Sequence, residues 1–240
     1  MIESTKAIVL NSLKFKDTSL IVTCYTQKGI KSYLVKGVLS KKTKSKKLKP
    51  AYFQTFTLLD IVANHNDKGR LNYINDIRVY QPLHNIYTDI YKNTIALFLA
   101  EILTSILKEE SENVVLFNFI SNAIVWLDTH EETANFHLVF LMKLTKYLGF
   151  YPNKPKDTDS FFNLKEGVFS FHKPIQDFLL GDEFILFKSL IGTDFDDMLN
   201  IAINAKSRQL LVKILIRFFS LHLPEFKNPK SLVVLQTIFR

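Results

Sequence analysis

Seven lysines fall within fourteen positions: Lys36, Lys41, Lys42, Lys44, Lys46, Lys47 and Lys49, in KGVLSKKTKSKKLK, with no acidic residue among them. Like charges at that density oppose a compact helix or strand, so a loop is expected. Ammonium groups on a loop tethered to a folded body suit one kind of chemistry, the neutralisation of polyphosphate. The plainer alternative is a solvated surface loop with no partner. Within the run, GVLSKKT (Gly37–Thr43) resembles a phosphate-binding P-loop, but Lys41 stands where its second glycine belongs, and without that glycine the backbone cannot wrap a phosphate closely.

Aromatic residues interleave the basic segments: Phe15, Tyr25, Tyr33, Tyr52, Phe53 and Tyr73. Nucleobases stack on exposed rings at about 1–3 kcal/mol each while lysines follow the phosphates. Phe53 and Phe56 are assigned to a core. Tyr33 and Tyr52, next to the lysine run, are taken as exposed and join the seven lysines as candidate DNA-binding residues. A second candidate site lies on Lys206–Leu221, where Leu210, Leu211, Ile214, Leu215, Phe218 and Phe219 form an apolar face beside a strip of Lys206, Lys213 and Arg217. Such a helix is ordinarily core with a wet basic edge. The sharper reading is a groove for an acidic peptide tail with an apolar end.

Little here supports catalysis. Asp194, Asp196 and Asp197 lack the glycine and glutamate of a calcium loop and read as a helix N-cap. His130 and His137 are seven apart, not the four of a helical zinc pair. Cys24 is the only cysteine, which excludes an internal disulfide and a cysteine-based zinc site. With no nucleophile–base pair and no metal cluster in view, the expectation is a non-enzymatic protein without cofactor or metal.

These residues need elements to position them. Residues 1–80 hold 15 Lys and Arg against 5 Asp and Glu, and the remainder 16 against 18, so the positive charge belongs to the first third. That third reads as strands: Ala7–Phe15, Leu20–Thr26, Ile30–Lys36, Phe53–Ala63 and Leu71–Tyr80, with Gly29 at a tight hairpin and turn formers from Asn64 to Gly69. Five strands in so short a span, broken by one long loop, suit a small closed barrel of the OB type. Pro82 marks the change to helices at His84–Leu107, Val114–Leu127, Thr133–Leu148, Asp182–Leu190, Lys206–Leu221 and Lys230–Ile238. A short hairpin is expected within 151–172, turning at Lys165-Glu166-Gly167. The predicted architecture is α+β with two domains, a five-stranded OB-fold barrel over 1–81 and an α-helical bundle over 82–240. The N-terminus lacks a signal-peptide pattern, and the apolar runs Ile95–Leu107 and Leu210–Leu221 are short and broken by Glu101, Lys213 and Arg217. A cytoplasmic chain with no membrane partner is expected.

In order along the chain, KAIVLNSLKFKDTSLIVTCYTQKGIKSYLVKGV, LKPAYFQTFTLLDI, KYLGFYP, FFNLKEGVFSF and LHLPEFKNPKSLVVL resemble segments of the bacterial RecO family of recombination mediators. The resemblance covers nearly the whole length and rests on the order of the pieces. One departure stands out: many family members carry two Cys-x-x-Cys zinc pairs around this hairpin, and residues 151–172 contain no cysteine. Zinc is therefore not carried over, and Phe161, Phe162, Val168, Phe169 and Phe171 are expected to knit the hairpin by apolar burial.

The resemblance implies a nucleoid-associated protein that binds single- and double-stranded DNA and anneals complementary strands. With the RecR partner it would load RecA onto DNA coated by single-stranded-DNA-binding protein. It also implies a site for that coating protein's acidic C-terminal tail, which charge and position map onto Lys206, Lys213 and Arg217. Two rivals remain, a general OB-fold single-stranded DNA- or RNA-binding protein without a mediator role, and a nuclease or other DNA-processing enzyme.

Overall fold

A computed structural model describes residues 2–40, 48–65, 71–107 and 112–239. It divides into two compact units, 1–129 and 130–240. In the first, strand β1 (Ile2–Phe15) lies at the centre of a five-stranded antiparallel sheet with β2 (Ser19–Thr26), β3 (Gly29–Val35), β4 (Leu58–Asn64) and β5 (Tyr73–Gln81), in the order β3-β2-β1-β4-β5. Gly29, at φ 87°, makes the β2–β3 turn, and its carbonyl accepts from the Thr26 hydroxyl at 2.8 Å. A register shift between Val9 and Asn11 bends β1, and there Val9 N–H donates to Thr57 O and Phe56 N–H to Val9 O. Alternate residues face one core, including Ala7, Val9, Val22, Cys24, Leu59 and Ile61, closed over by Phe53. Phe53 and Phe56 are both buried, as expected.

The barrel closure expected from the strand pattern is corrected. Among the described residues, the sheet's edges meet at one parallel bridge between Tyr33 and Asn72, where Leu34 N–H donates to Asn72 O at 2.8 Å and Asn72 N–H to Ser32 O at 3.1 Å. The physical reason is length. β3 ends at Val35 after seven residues, so the rest of the nine-residue β5 has no β3 backbone to pair with. The result is an OB-like sheet rather than a continuous cylinder.

Among the described residues, three α-helices complete this unit. The single helix expected over His84–Leu107 is two: α1 (Asn85–Thr88) and α2 (Ile90–Ile106). Asp89 takes an extended conformation between them and caps α2, its carboxylate accepting from Tyr91 N–H at 2.7 Å and Lys92 N–H at 3.0 Å. Helix α3 (Val114–Thr129) packs on the sheet through Phe117 against Tyr25 and Ser121 against the Tyr80 hydroxyl, 2.9 Å away. Near its end, buried Asp128 accepts from the backbone N–H of His84 and of Ile86, while its own carbonyl takes the Asn85 amide and the buried Lys92 ammonium. One residue thus ties the exit from the sheet to the end of α3.

The second unit holds α4 (Phe136–Tyr147), a small sheet of order β7-β6-β8 made from β6 (Phe161–Asn163), β7 (Val168–Ser170) and β8 (Phe178–Leu179), then α5 (Gly181–Ser189), α6 (Ala205–His222) and α7 (Leu232–Ile238). The hairpin was expected; the two-residue β8 was not. Gly167, at φ 69°, takes the left-handed turn that the hairpin requires. Of the aspartates read as an N-cap, Asp197 takes that position, but on a 3-10 turn and without a side-chain capping bond. Asp194 pairs with Lys143.

Asp128 offers a direct test. Asp128→Ala leaves two inward backbone donors without their acceptor, which should cost about 2–4 kcal/mol. Asp128→Asn, keeping one acceptor oxygen, should lose less. Urea unfolding of both variants checks the order, and equal losses would mean that the carboxylate is not what holds this joint.

Candidate nucleic-acid interface

Of the seven lysines, Lys41, Lys42, Lys44, Lys46 and Lys47 lie outside the described residues. Lys36 and Lys49 flank them and are both exposed. Lys36 stands directly after β3, with its ammonium 5.1 Å from the centre of the Tyr73 ring. Lys49 precedes the 3-10 turn Pro50–Phe53, which carries Tyr52. Tyr52 is half-buried and packs against the sheet's core.

Tyr33 is not where exposure was expected. It is 0 % exposed, and burial pushes its hydroxyl strongly away from ionisation. That hydroxyl lies 2.9 Å from His65 Nε2, His65 Nδ1 lies 3.3 Å from Glu3 Oε2, and the same Glu3 oxygen accepts from Lys28 Nζ at 3.0 Å. The Lys28 hydrogen bond, followed by that of His65, holds the Glu3 carboxyl below its usual range. Tyr33 therefore anchors the end of β4 and offers no ring for stacking. Strand parity was the signal that could have found this. Tyr33 shares its face with Val35, and both point to the core, whereas nearness to a lysine run says nothing about which face a side chain takes. The same parity puts Asn72 inward and Tyr73 outward. Tyr73, 43 % exposed beneath Lys36, is one of the interleaved rings but not one of the two expected to be exposed.

On α6, Lys206, Lys213 and Arg217 are all exposed, but the structure does not gather them into one cation site. Arg217 is paired with Asp177, the residue just before β8. Lys206 instead lines a groove of about 310 Å³ between α5 and α6, with Asp182, Ile185, Leu186, Ser207 and Leu210. Of the apolar walls expected for a tail, Leu210 lines this groove, whereas Ile214 and Phe218 are buried in the core. Phe218 meets Phe162 and Phe187 there, and Phe162 also touches Phe169 at a ring separation of 4.7 Å. His222 donates to Leu164 O at 2.8 Å and stacks on Phe150. Phe162 and Phe169 thus knit the small sheet to α5 and α6 as expected, but Phe171 is exposed and takes no part in that core. Among the described residues, no three of His, Cys, Asp and Glu come together as metal ligands, and no helix is long and apolar enough to cross a membrane.

The family model described as "Recombination protein O N terminal" matches residues 1–83, and the one described as "Recombination protein O C terminal" matches 87–232. The chain belongs to the RecO family. Among curated RecO relatives, the DNA repair protein RecO of Flavobacterium psychrophilum is 43% identical over 98% of each chain. The one from Flavobacterium johnsoniae is 44% identical over 98% of each, and that from Bacteroides fragilis 36% over the full length of both. The two RecO models part between residues 83 and 87, where the chain leaves the sheet.

The phenylalanine cluster predicts how this RecO chain holds its hairpin together without cysteines. Phe162→Ala should destabilise the protein by about 3–5 kcal/mol, the cost of emptying a buried aromatic site. A strong chelator should leave the melting temperature of the parent unchanged. A melting point that falls with chelator, or about one zinc per chain by elemental analysis, would show that metal does the holding.

Proposed function

We propose that this protein is a non-enzymatic DNA-binding recombination mediator in DNA repair. On this reading it anneals single strands and, with RecR, helps RecA onto DNA coated by single-stranded-DNA-binding protein. The observation that carries the reading is the coincidence of two things on one segment: the RecO N-terminal match over residues 1–83, and an OB-like sheet that bears the chain's excess positive charge and the lysine run. We place the functional division at Pro82, with residues 1–81 binding nucleic acid and 82–240 serving partners. Membership of a family whose curated relatives are named DNA repair proteins supports the pathway. The protein would act in the cytoplasm, at the nucleoid.

The mediator reading and its main rival, a plain OB-fold single-strand binder, differ in one behaviour. A mediator anneals complementary strands through their protein coat, whereas a plain binder competes with the coat and leaves the strands apart. Annealing of pre-coated complementary oligonucleotides, followed by fluorescence transfer, separates the two.

For the acidic tail of the coating protein, Lys206, Lys213 and Arg217 on α6 remain our proposed cations, now with Lys206 and Leu210 at the α5–α6 groove. Arg217 can hold a carboxylate by two parallel hydrogen bonds, and it already engages one in Asp177. An incoming tail must compete with that internal partner.

Two outcomes follow. Replacing Lys41, Lys42, Lys44, Lys46 and Lys47 by alanine should weaken binding to every DNA sequence alike. It should also flatten the dependence of log affinity on log salt by roughly 0.7 for each lost single-strand contact, with little change in stability. An unchanged slope moves the DNA site elsewhere. Arg217→Glu opposes an acidic tail more strongly than simple removal would. It should abolish binding of a tail peptide and annealing on coated strands while bare-DNA binding persists. Undiminished peptide binding by a variant that melts like the parent would dismiss the α6 site.

A further inference from the structure

We infer that Tyr73 is a stacking platform for an unpaired nucleobase, with Lys36 beside it to take a flanking phosphate. This deepens the DNA-binding reading above and rests on it. Tyr73 is among the interleaved rings without being one of the two expected to be exposed, and the family match does not single it out. Its placement does.

Tyr73 is the first residue of β5 and follows Asn72, which makes the bridge joining the sheet's two edges. Two backbone hydrogen bonds to β3, together with the Asn72 side-chain amide donating to Ser32 O at 3.0 Å, fix the chain one residue before the ring. A ring on such a rigid base loses little freedom when it stacks. Strand parity turns it outward, and 43 % of the residue remains exposed. It lies outside the hydrophobic core cluster, so burial does not account for its presence. Directly over it, 5.1 Å from the ring centre, is the ammonium of Lys36, itself exposed.

An exposed ring with a cation at its face is what a single strand requires: a π surface for the base and a positive charge for the phosphate alongside. The site selects by strand form. In a duplex each base is already stacked and paired within the helix, so Tyr73 has nothing to receive. Lys36, in contrast, serves either form, because phosphates are present in both.

The test uses the full-length protein with fluorescently labelled single-stranded and duplex oligonucleotides of one sequence, at several salt concentrations. Tyr73→Ala should lose roughly tenfold in single-strand affinity, within the range expected for one stacked base, with its salt slope unchanged. Duplex affinity should stay at the parent's value. Tyr73→Phe should bind single strands as the parent does. Lys36→Ala should lower the salt slope by roughly 0.7 on single strands. Tyr73→Trp in a Trp126→Phe background adds an optical readout, since stacking should quench the indole when single strands are added and not when duplex is. Parental single-strand affinity in Tyr73→Ala overturns the proposal, as do equal losses on both strand forms. A parent protein that binds neither form overturns the DNA-binding reading and this site together.

Discussion

Strand β1 is hydrogen-bonded along both edges, and the first unit is arranged around that requirement. Its residues Ala7 and Ile8 pair with β2 on one side and with β4 on the other. Where the two pairings overlap β1 is buried on both faces, at Ala7 and Ile8, so its pattern of side chains sets the register of its two neighbours. The register shift at Val9–Asn11 then serves two purposes. It bends β1, and it lets Phe56 and Thr57 bond to the Val9 backbone where regular β4 has not yet begun. From this strand outward, β2 carries β3 and β4 carries β5, until the free edges touch at Asn72.

Electrostatics are spread over this frame rather than concentrated in one cleft. Lys36, directly after β3, and Lys49, before the Pro50–Phe53 turn, are exposed, whereas Lys28 is bound to Glu3 and Arg78 to Asp60. An ammonium over a tyrosine ring and one bound to a carboxylate differ in what they can offer an incoming phosphate, since the phosphate must compete with the carboxylate for the second. In the second unit, Arg217 and Lys143 are likewise held by aspartates. Counts of basic residues therefore overstate the cations at a ligand's disposal.

Much of the fold could be read from residue patterns, because period-two and helical spacing follow directly from burial. The strands, the α3 and α6 helices and the phenylalanine hairpin emerged that way. Legibility stopped where a single residue decides. Asp89 splits one apolar run into two helices through a capping geometry that periodicity does not register. The two-residue β8 is too short to have a period at all. At the candidate sites, residue type does not tell which ring is exposed, since Tyr33 and Tyr73 are alike in chemistry and differ in the face they occupy, Tyr33 buried and Tyr73 exposed. The Arg217–Asp177 pair joins residues forty apart in sequence, and no local pattern signals it.

The connectivity of the central strand also bears on how the chain reaches its fold. The β1–β2 and β2–β3 pairings are local hairpins, whereas β1 meets β4 across 50 to 62 positions of sequence, from Ile8 with Leu58 to Ile2 with Asn64. Such non-local pairing carries a loop-closure cost that is met before any contact forms, and it slows folding. During synthesis, one edge of β1 stays bare while the entire lysine run is being made. An unpaired strand edge invites association with other chains, and a block of like charge emerging beside it repels them. The lysines that we propose bind DNA would then also act earlier, keeping nascent copies apart until β4 arrives.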